Sequence, residues 1–252
     1  MNIVVCIKQV PDTAEVKINP ETNTLIRDGV ENIMNPFDRQ ALETALILKD
    51  TSGAKVTVVS MGPPQATDIL KEAIAMGADD AVLISDRALA GSDTLATSVA
   101  LAAAVRKVGE CDLVLCGKQA IDGDTAQVGP EMAEHLGIPQ VTGALKVALG
   151  ADGRLLVERE NESSCQTLAV TLPAVVTVTK SEKEPRFASI KGKMKARKAE
   201  IPVMGAAELE IDPKVFTPSV PQIESEIINE EDTDKAVDML IEKLVQAKII
   251  TH

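Results

Sequence analysis

Short apolar runs alternate with segments of helical periodicity through the first 137 residues, and few folds accept that alternation. The runs are 3–7 (IVVCI), 56–59 (VTVV), 81–84 (AVLI) and 113–115 (LVL). Each is a nearly continuous aliphatic stretch, the pattern of a strand buried on both faces. Between them, residues 38–49 carry Ala41, Leu42, Ala45, Leu46 and Leu48 at helical spacing, and residues 67–76 carry Ile69, Leu70, Ala73 and Ile74. Residues 93–108 open on Asp93, a capping residue, and are apolar along one side. Gly53, Gly77, Gly109 and Gly137 stand where helices stop. Strand alternating with helix builds βαβ units, so the expected fold class is α/β: a mostly parallel twisted sheet flanked by helices.

Other segments leave that pattern. Residues 16–18 and 25–27 flank NPETN and predict a hairpin. After Gly137, residues 141–149, 154–159 and 167–170 read as successive strands joined by polar turns such as GADG, and 174–179 (AVVTVT) as another buried strand. Residues 180–198 hold eight basic and two acidic residues in a chain whose net charge is −12. Pro202, Pro213, Pro218 and Pro221 mark an extended arm. Residues 230–250 form an amphipathic helix with Val237, Leu240, Ile241, Leu244 and Val245 on one face and Asp232 or Thr233 as cap. The expected domains are an α/β domain over 1–221, including the basic segment, and a C-terminal arm and helix over 222–252. The stripe on that helix needs cover, from its own domain or from a partner subunit.

Composition narrows the function. With no Trp, no Tyr and three Phe, the chain cannot hold bases by aromatic stacking, and its negative charge disfavours nucleic acid and acidic membranes. Cys6, Cys111, Cys116 and Cys165 form no C-x-x-C pair, and His135 and His252 are the whole histidine complement, so no zinc site is expected. Reduced thiols fit a cytoplasmic location. No apolar run is long enough to span a membrane, and the N-terminus does not read as a signal peptide. Two histidines build no nucleophile–base pair, so no catalytic side chain is assigned.

The stretch CGKQAIDGDTAQVGPEMAEHLGIP joins the strand ending near Cys116 to a helix over 131–136. Strand, glycine-bearing loop and helix start together make a phosphate site, because free N–H groups and the helix dipole converge there. Asp122 and Asp124 would repel a phosphate unless they turn away, and Asp124 reads as a helix cap. Gly123 is expected to let the backbone approach the anion, which makes it the sensitive position, while Thr125 can donate its hydroxyl. Asn35 and Pro36 read as cap and first residue of a helix. Cys6 and Met61 end strands, where open α/β sheets bind ligands, although packing alone also explains them.

Seven stretches carry a family resemblance: CIKQVPD, NPFD, MGPP, MGAD, GKQAIDGDTAQVGP, LPAVVT and PRFASIKGKMKARK. In this order they resemble the beta (small) subunit of electron-transfer flavoproteins across essentially the full chain. Ser163 and Ser164 depart from the pattern in a turn. The resemblance implies an adenine-nucleotide-binding α/β domain partnered by an alpha (large) subunit that holds one FAD. It further implies a heterodimer that serves an acyl-CoA dehydrogenase. In ordinary members the beta site holds structural AMP. In the electron-bifurcating branch, which the 117–130 stretch resembles, it holds a second FAD that takes hydride from NADH and shares electrons with ferredoxin or flavodoxin. The cofactor contacts implied are Cys6, Asn35, Pro36, Phe37, Asp38, Met61, Gly117, Lys118, Gln119, Ala120, Ile121, Asp122, Gly123, Asp124, Thr125, Ala126, Gln127 and Val128. The basic segment becomes a partner-docking loop through Arg186, Ile190, Lys191, Lys193, Met194 and Lys195, with Ile190 as apolar anchor. A ligase or pyrophosphatase would need a Ser- and Gly-rich phosphate loop after the first strand, where Lys8, Gln9, Val10 and Pro11 stand.

Overall fold

The structure is a computed structural model, and it describes residues 1–12, 18–19, 24–25, 31–161, 163–211, 227–230 and 232–250. The strands in chain order are β1 (Asn2–Cys6), β2 (Gln9–Pro11), β3 (Ile18–Asn19), β4 (Thr24–Leu25), β5 (Asn32–Met34), β6 (Lys55–Met61), β7 (Asp80–Ile84), β8 (Leu113–Gly117), β9 (Gln140–Leu149), β10 (Leu155–Glu160), β11 (Cys165–Val170), β12 (Ala174–Val178) and β13 (Val203–Met204). The helices are α1 (Pro36–Ser52), α2 (Thr67–Met76), α3 (Thr94–Val108), α4 (Val128–Leu136), α5 (Ile190–Lys198) and α6 (Thr233–Gln246). The main sheet runs β11-β10-β9-β12-β8-β1-β6-β7-β13. From β9 to β13 every neighbour is parallel; β10 and β11 add an antiparallel edge.

Side-chain alternation distributes the central strands between two cores. Ile3, Val5, Leu113 and Leu115 pack with Leu42, Leu46, Leu70 and Ala196, on the face that α1, α2 and α5 cover. Val4, Cys6, Val114 and Cys116 pack with Leu101, Val105 and Met132, on the face of α3 and α4. This explains the uninterrupted apolar runs: both faces of each central strand are buried.

The glycine stops and the Asp93 and Asp232 caps are present. Asp93 accepts from the Ala96 N–H at 2.8 Å, Asp232 accepts from the Asp234 N–H at 3.1 Å, and Gly137 ends α4 with φ 69°. Of the hairpin expected over 16–27, the described part is β3 paired antiparallel with β4, with Ile18 opposite Leu25. The arm begins differently from the expectation. Val203 and Met204 join the sheet beside β7, and Ala206 and Leu209 are buried in the second core. Most of the remaining arm, 212–226, lies outside the described residues. The chain divides into two units, Met1–Pro218 and Ser219–His252. Within the second, Val237, Leu240 and Ile241 of α6 are 47%, 48% and 42% exposed.

Candidate functional site

Strand order locates the site. The chain passes from β1 through α1 to β6 and through α2 to β7, then crosses by α3 to β8 on the other side of β1. The two directions diverge between β1 and β8, and open α/β sheets bind ligands at such a divide, beyond the carboxyl ends of the strands. Cys6 lies opposite Val59 on one side and Cys116 on the other, and Cys116 lies opposite Thr177. The strand ends are therefore level, and Lys8, Met61, Gly117 and Thr179 follow on one rim.

The NPFD stretch braces that rim from the start of α1. Pro36 occupies the first helical turn, as expected. Asn35 stands at the cap position, but its side chain makes no cap hydrogen bond. Its Nδ2 donates to the Gln119 carbonyl at 2.8 Å, its Oδ1 accepts from the Ile121 N–H at 3.2 Å, and its own N–H donates to the Lys8 carbonyl at 2.9 Å. Asp38 completes the brace: one carboxylate oxygen accepts from the Lys8 N–H at 2.7 Å, the other from the Gly117 N–H at 2.9 Å. Asn35 and Asp38 are 1% and 6% exposed. They therefore tie the end of β1 to the end of β8 and hold the loop that follows. Burial pushes the Asp38 carboxyl up to about 7, against the lowering effect of its hydrogen bonds.

The loop after β8 carries its strain at alanine and aspartate. Asp124 and Ala126 both have φ 54°, a conformation that costs an L-residue roughly 1 kcal/mol or more. Gly123, singled out in the sequence, has no left-handed φ, and no atom lies within 4 Å of where a Cβ would stand. The steric demand lies instead at Gly117, whose Cβ would collide with Asp38. Asp124 does not cap α4, because that helix begins only at Val128; its carboxylate accepts instead from the Gln119 side-chain amide. Asp122 accepts from Lys8 Nζ through both oxygens, at 2.7 and 2.8 Å. The N–H groups of Gly123 and Asp124 donate to the Ala120 carbonyl. Among the described residues, those of Thr125, Ala126, Gln127 and Val128 donate to no group of the chain.

Cys6 and Cys116 are buried at this rim, and burial pushes both thiols up, Cys116 to about 12. Both thiols are neutral and lie in the second core. Lys8 escaped the sequence reading of the site, since its role depends on a partner 114 residues away. A cleft of ≈ 440 Å³ on the β12 side of the loop was also missed; Lys118, Thr142, Arg159 and Thr179 line it.

The basic segment sits apart from the rim. Ser189 caps α5 by accepting from the Gly192 N–H at 2.9 Å, and Phe187, Ile190 and Met194 are 90%, 84% and 58% exposed. Arg186 is bound within the chain, to Glu43 at 2.9 Å and Asp50 at 2.8 Å, and Lys195 Nζ donates to the Ala78 carbonyl at 2.9 Å. Lys191 and Lys193 are exposed.

A mostly parallel sheet with helices on both faces and a braced strand-to-helix loop at its divide defines an open, doubly wound type of α/β protein. The electron transfer flavoprotein domain matches residues 22–209, and the chain belongs to that family, as a beta subunit. It is 50% identical to the Electron transfer flavoprotein subunit beta of Megasphaera elsdenii, over 99% of this chain and 100% of that one. It is 53% identical to the protein of the same name from Clostridium acetobutylicum, over 84% of this chain and 81% of that one. Similarity extends to the Caffeyl-CoA reductase-Etf complex subunit CarD of Acetobacterium woodii, 48% identical over 85% of this chain and 82% of that one. No helix among the described residues is long and apolar enough to cross a membrane.

Proposed function

We propose that the crevice between β1 and β8 takes FAD, and that the chain works with a large subunit carrying a further FAD. In this reading the crevice flavin takes hydride from NADH and divides electrons between the large-subunit FAD, toward an acyl-CoA dehydrogenase, and a low-potential acceptor such as ferredoxin or flavodoxin. The carrying observation is the pairing of the loop's polar groups. Lys8 compensates Asp122 and the Gln119 amide engages Asp124, so neither carboxylate is bare, while the N–H groups of residues 125–128 are free at the start of α4. That combination suits a phosphate. Asn35, Asp38 and Gly117 would hold the crevice open, and the flavin would supply the redox chemistry. The relative named for a caffeyl-CoA reductase complex favours a partner that acts on a CoA thioester.

The same donors suit the phosphate of AMP, which is the second reading. Counting nucleotides in the two-subunit complex separates them. A second flavin, beyond that of the large subunit, is the expected result. One flavin plus AMP would replace the FAD reading, and a complex with no nucleotide in this subunit would remove the site.

Docking is the task proposed for α5 and its approach. Phe187, Ile190 and Met194 form exposed apolar knobs, with Lys191 and Lys193 between them. Ile190→Asp should weaken dehydrogenase binding by ~2 kcal/mol, roughly thirtyfold, while flavin content stays unchanged. Unaltered electron transfer at subsaturating dehydrogenase would remove Ile190 from the interface.

A further inference from the structure

We infer that Arg186 is a positioning residue for the docking surface: it fastens the segment that presents Phe187 and Ile190, and Glu43 is the buried post that holds it. The inference rests on the docking reading of α5. By sequence Arg186 is one more cation of a basic run, suited to steering an acidic partner. In the fold its guanidinium turns inward. Glu43 stands on α1 and is 2% exposed. Its carboxylate accepts from Arg186 in three ways: from the backbone N–H at 2.9 Å, from Nε at 3.0 Å and from Nη2 at 2.9 Å. Nη2 also donates to Asp50 Oδ2 at 2.8 Å. The fork engages both Glu43 oxygens and so fixes the plane of the guanidinium. The N–H bond fixes the main chain at the residue before Phe187.

Two further ties bracket this one. Ser181 donates to Gln40 Oε1 through its N–H at 2.9 Å and its hydroxyl at 2.8 Å. Lys195 Nζ donates to the Ala78 and Asp79 carbonyls at 2.9 and 3.1 Å. The docking helix also lies so close to the end of α2 that a Cβ on Gly192 would collide with the Ala75 carbonyl. Between these ties the side chains of Phe187 and Ile190 stand in solvent. Anchored main chain with exposed apolar tips is a surface ordered before it meets a partner, so association does not bear the cost of ordering it. Arg186 adds no surplus positive charge, because two carboxylates meet one guanidinium. Steering is left to the exposed Lys191 and Lys193.

Binding kinetics between the two-subunit complex and an acyl-CoA dehydrogenase purified from the same organism test this. Wild type is compared with Glu43→Gln, Arg186→Gln, Arg186→Lys and Ile190→Asp. Glu43 is too buried to touch a partner. Even so, Glu43→Gln should raise the dissociation rate about tenfold, because the segment must then be ordered on binding. The association rate should stay within about twofold, and nucleotide content equal to wild type shows that the variant is folded. Arg186→Gln should behave in the same way, and Arg186→Lys, which keeps the charge without the fork, should recover only part of the loss. Adding Glu43→Gln to Ile190→Asp should change little, because both act through one contact. Wild-type dissociation rates in Glu43→Gln and Arg186→Gln, with Ile190→Asp weakened, would overturn the latch and leave the docking reading intact. Slower association of Arg186→Gln with unchanged dissociation would overturn it too, and make Arg186 a steering cation. Wild-type binding by Ile190→Asp, or no binding by the wild-type complex, would overturn the docking reading and the latch with it.

Discussion

Gly117→Ala should destabilise the chain by about 3 kcal/mol or more, enough to lower the melting temperature by roughly 10 °C. The added Cβ would be driven into Asp38 Oδ1, and it would lie 2.7 Å from both the Asp38 nitrogen and the Phe37 carbonyl carbon. Two of those three atoms are backbone of the first turn of α1, which cannot swing aside as a side-chain tip can. Relief requires α1 or the end of β8 to move; α1 is packed in the first core, and Leu115 and Cys116 hold β8 in the first and second cores. The same movement would break the Gly117–Asp38 hydrogen bond and release the loop that follows. Gly123→Ala is the control: its Cβ meets open space, so stability should change by no more than ~0.5 kcal/mol. Thermal unfolding of the two variants checks the contrast. A Gly117→Ala protein as stable as wild type would mean that the α1 brace does not sit where the structure puts it.

Asp38→Ala should cost about 2–4 kcal/mol, because the Lys8 and Gly117 N–H groups would lose their acceptors in a buried place. Nucleotide affinity should fall with it, since the loop would no longer be tied to β1. The pH dependence gives a sharper test. Burial raises the Asp38 carboxyl from 3.8 to about 7 in the folded chain. Between those values the folded state binds a proton that the unfolded state has released, so stability from this group declines as pH rises. It is fully present below about 4 and lost as pH passes about 7. Asn at 38 cannot titrate, and its amide nitrogen has no lone pair for the second N–H, whereas a protonated carboxyl keeps one on each oxygen. The margin of wild type over Asp38→Asn should therefore be largest near pH 4 and shrink toward about pH 8. Denaturant unfolding across that range measures it. A margin that grew with pH would show that the two hydrogen bonds, and not burial, govern the carboxyl.

Most of the local architecture was legible in the residues alone. Aliphatic runs and helical periodicity record which faces of a segment leave water, so β1, β6, β7, β8 and the helices between them could be read directly. So could the Asp93 and Asp232 caps and the glycine that ends α4. The 117–128 loop was legible as a strand-to-helix junction with glycine. What its polar residues do was settled by folding. Periodicity carries no record of lateral neighbours, so the divide between β1 and β8 waits on the order of the sheet. Asp38 meets Gly117 across 79 residues and Lys8 meets Asp122 across 114, and bonds at that range leave no local mark. Asp124 reads as a cap because its residue type favours one, yet α4 starts only at Val128 and the Asp124 carboxylate turns to Gln119. Gly123 draws notice as the glycine of the loop, but of the two glycines in 117–128 the one without room for a side chain is Gly117, because α1 crosses the end of β8 there. The start of the proline-bearing arm becomes an edge strand because β7 offers it free backbone groups, a partner that only the folded sheet supplies.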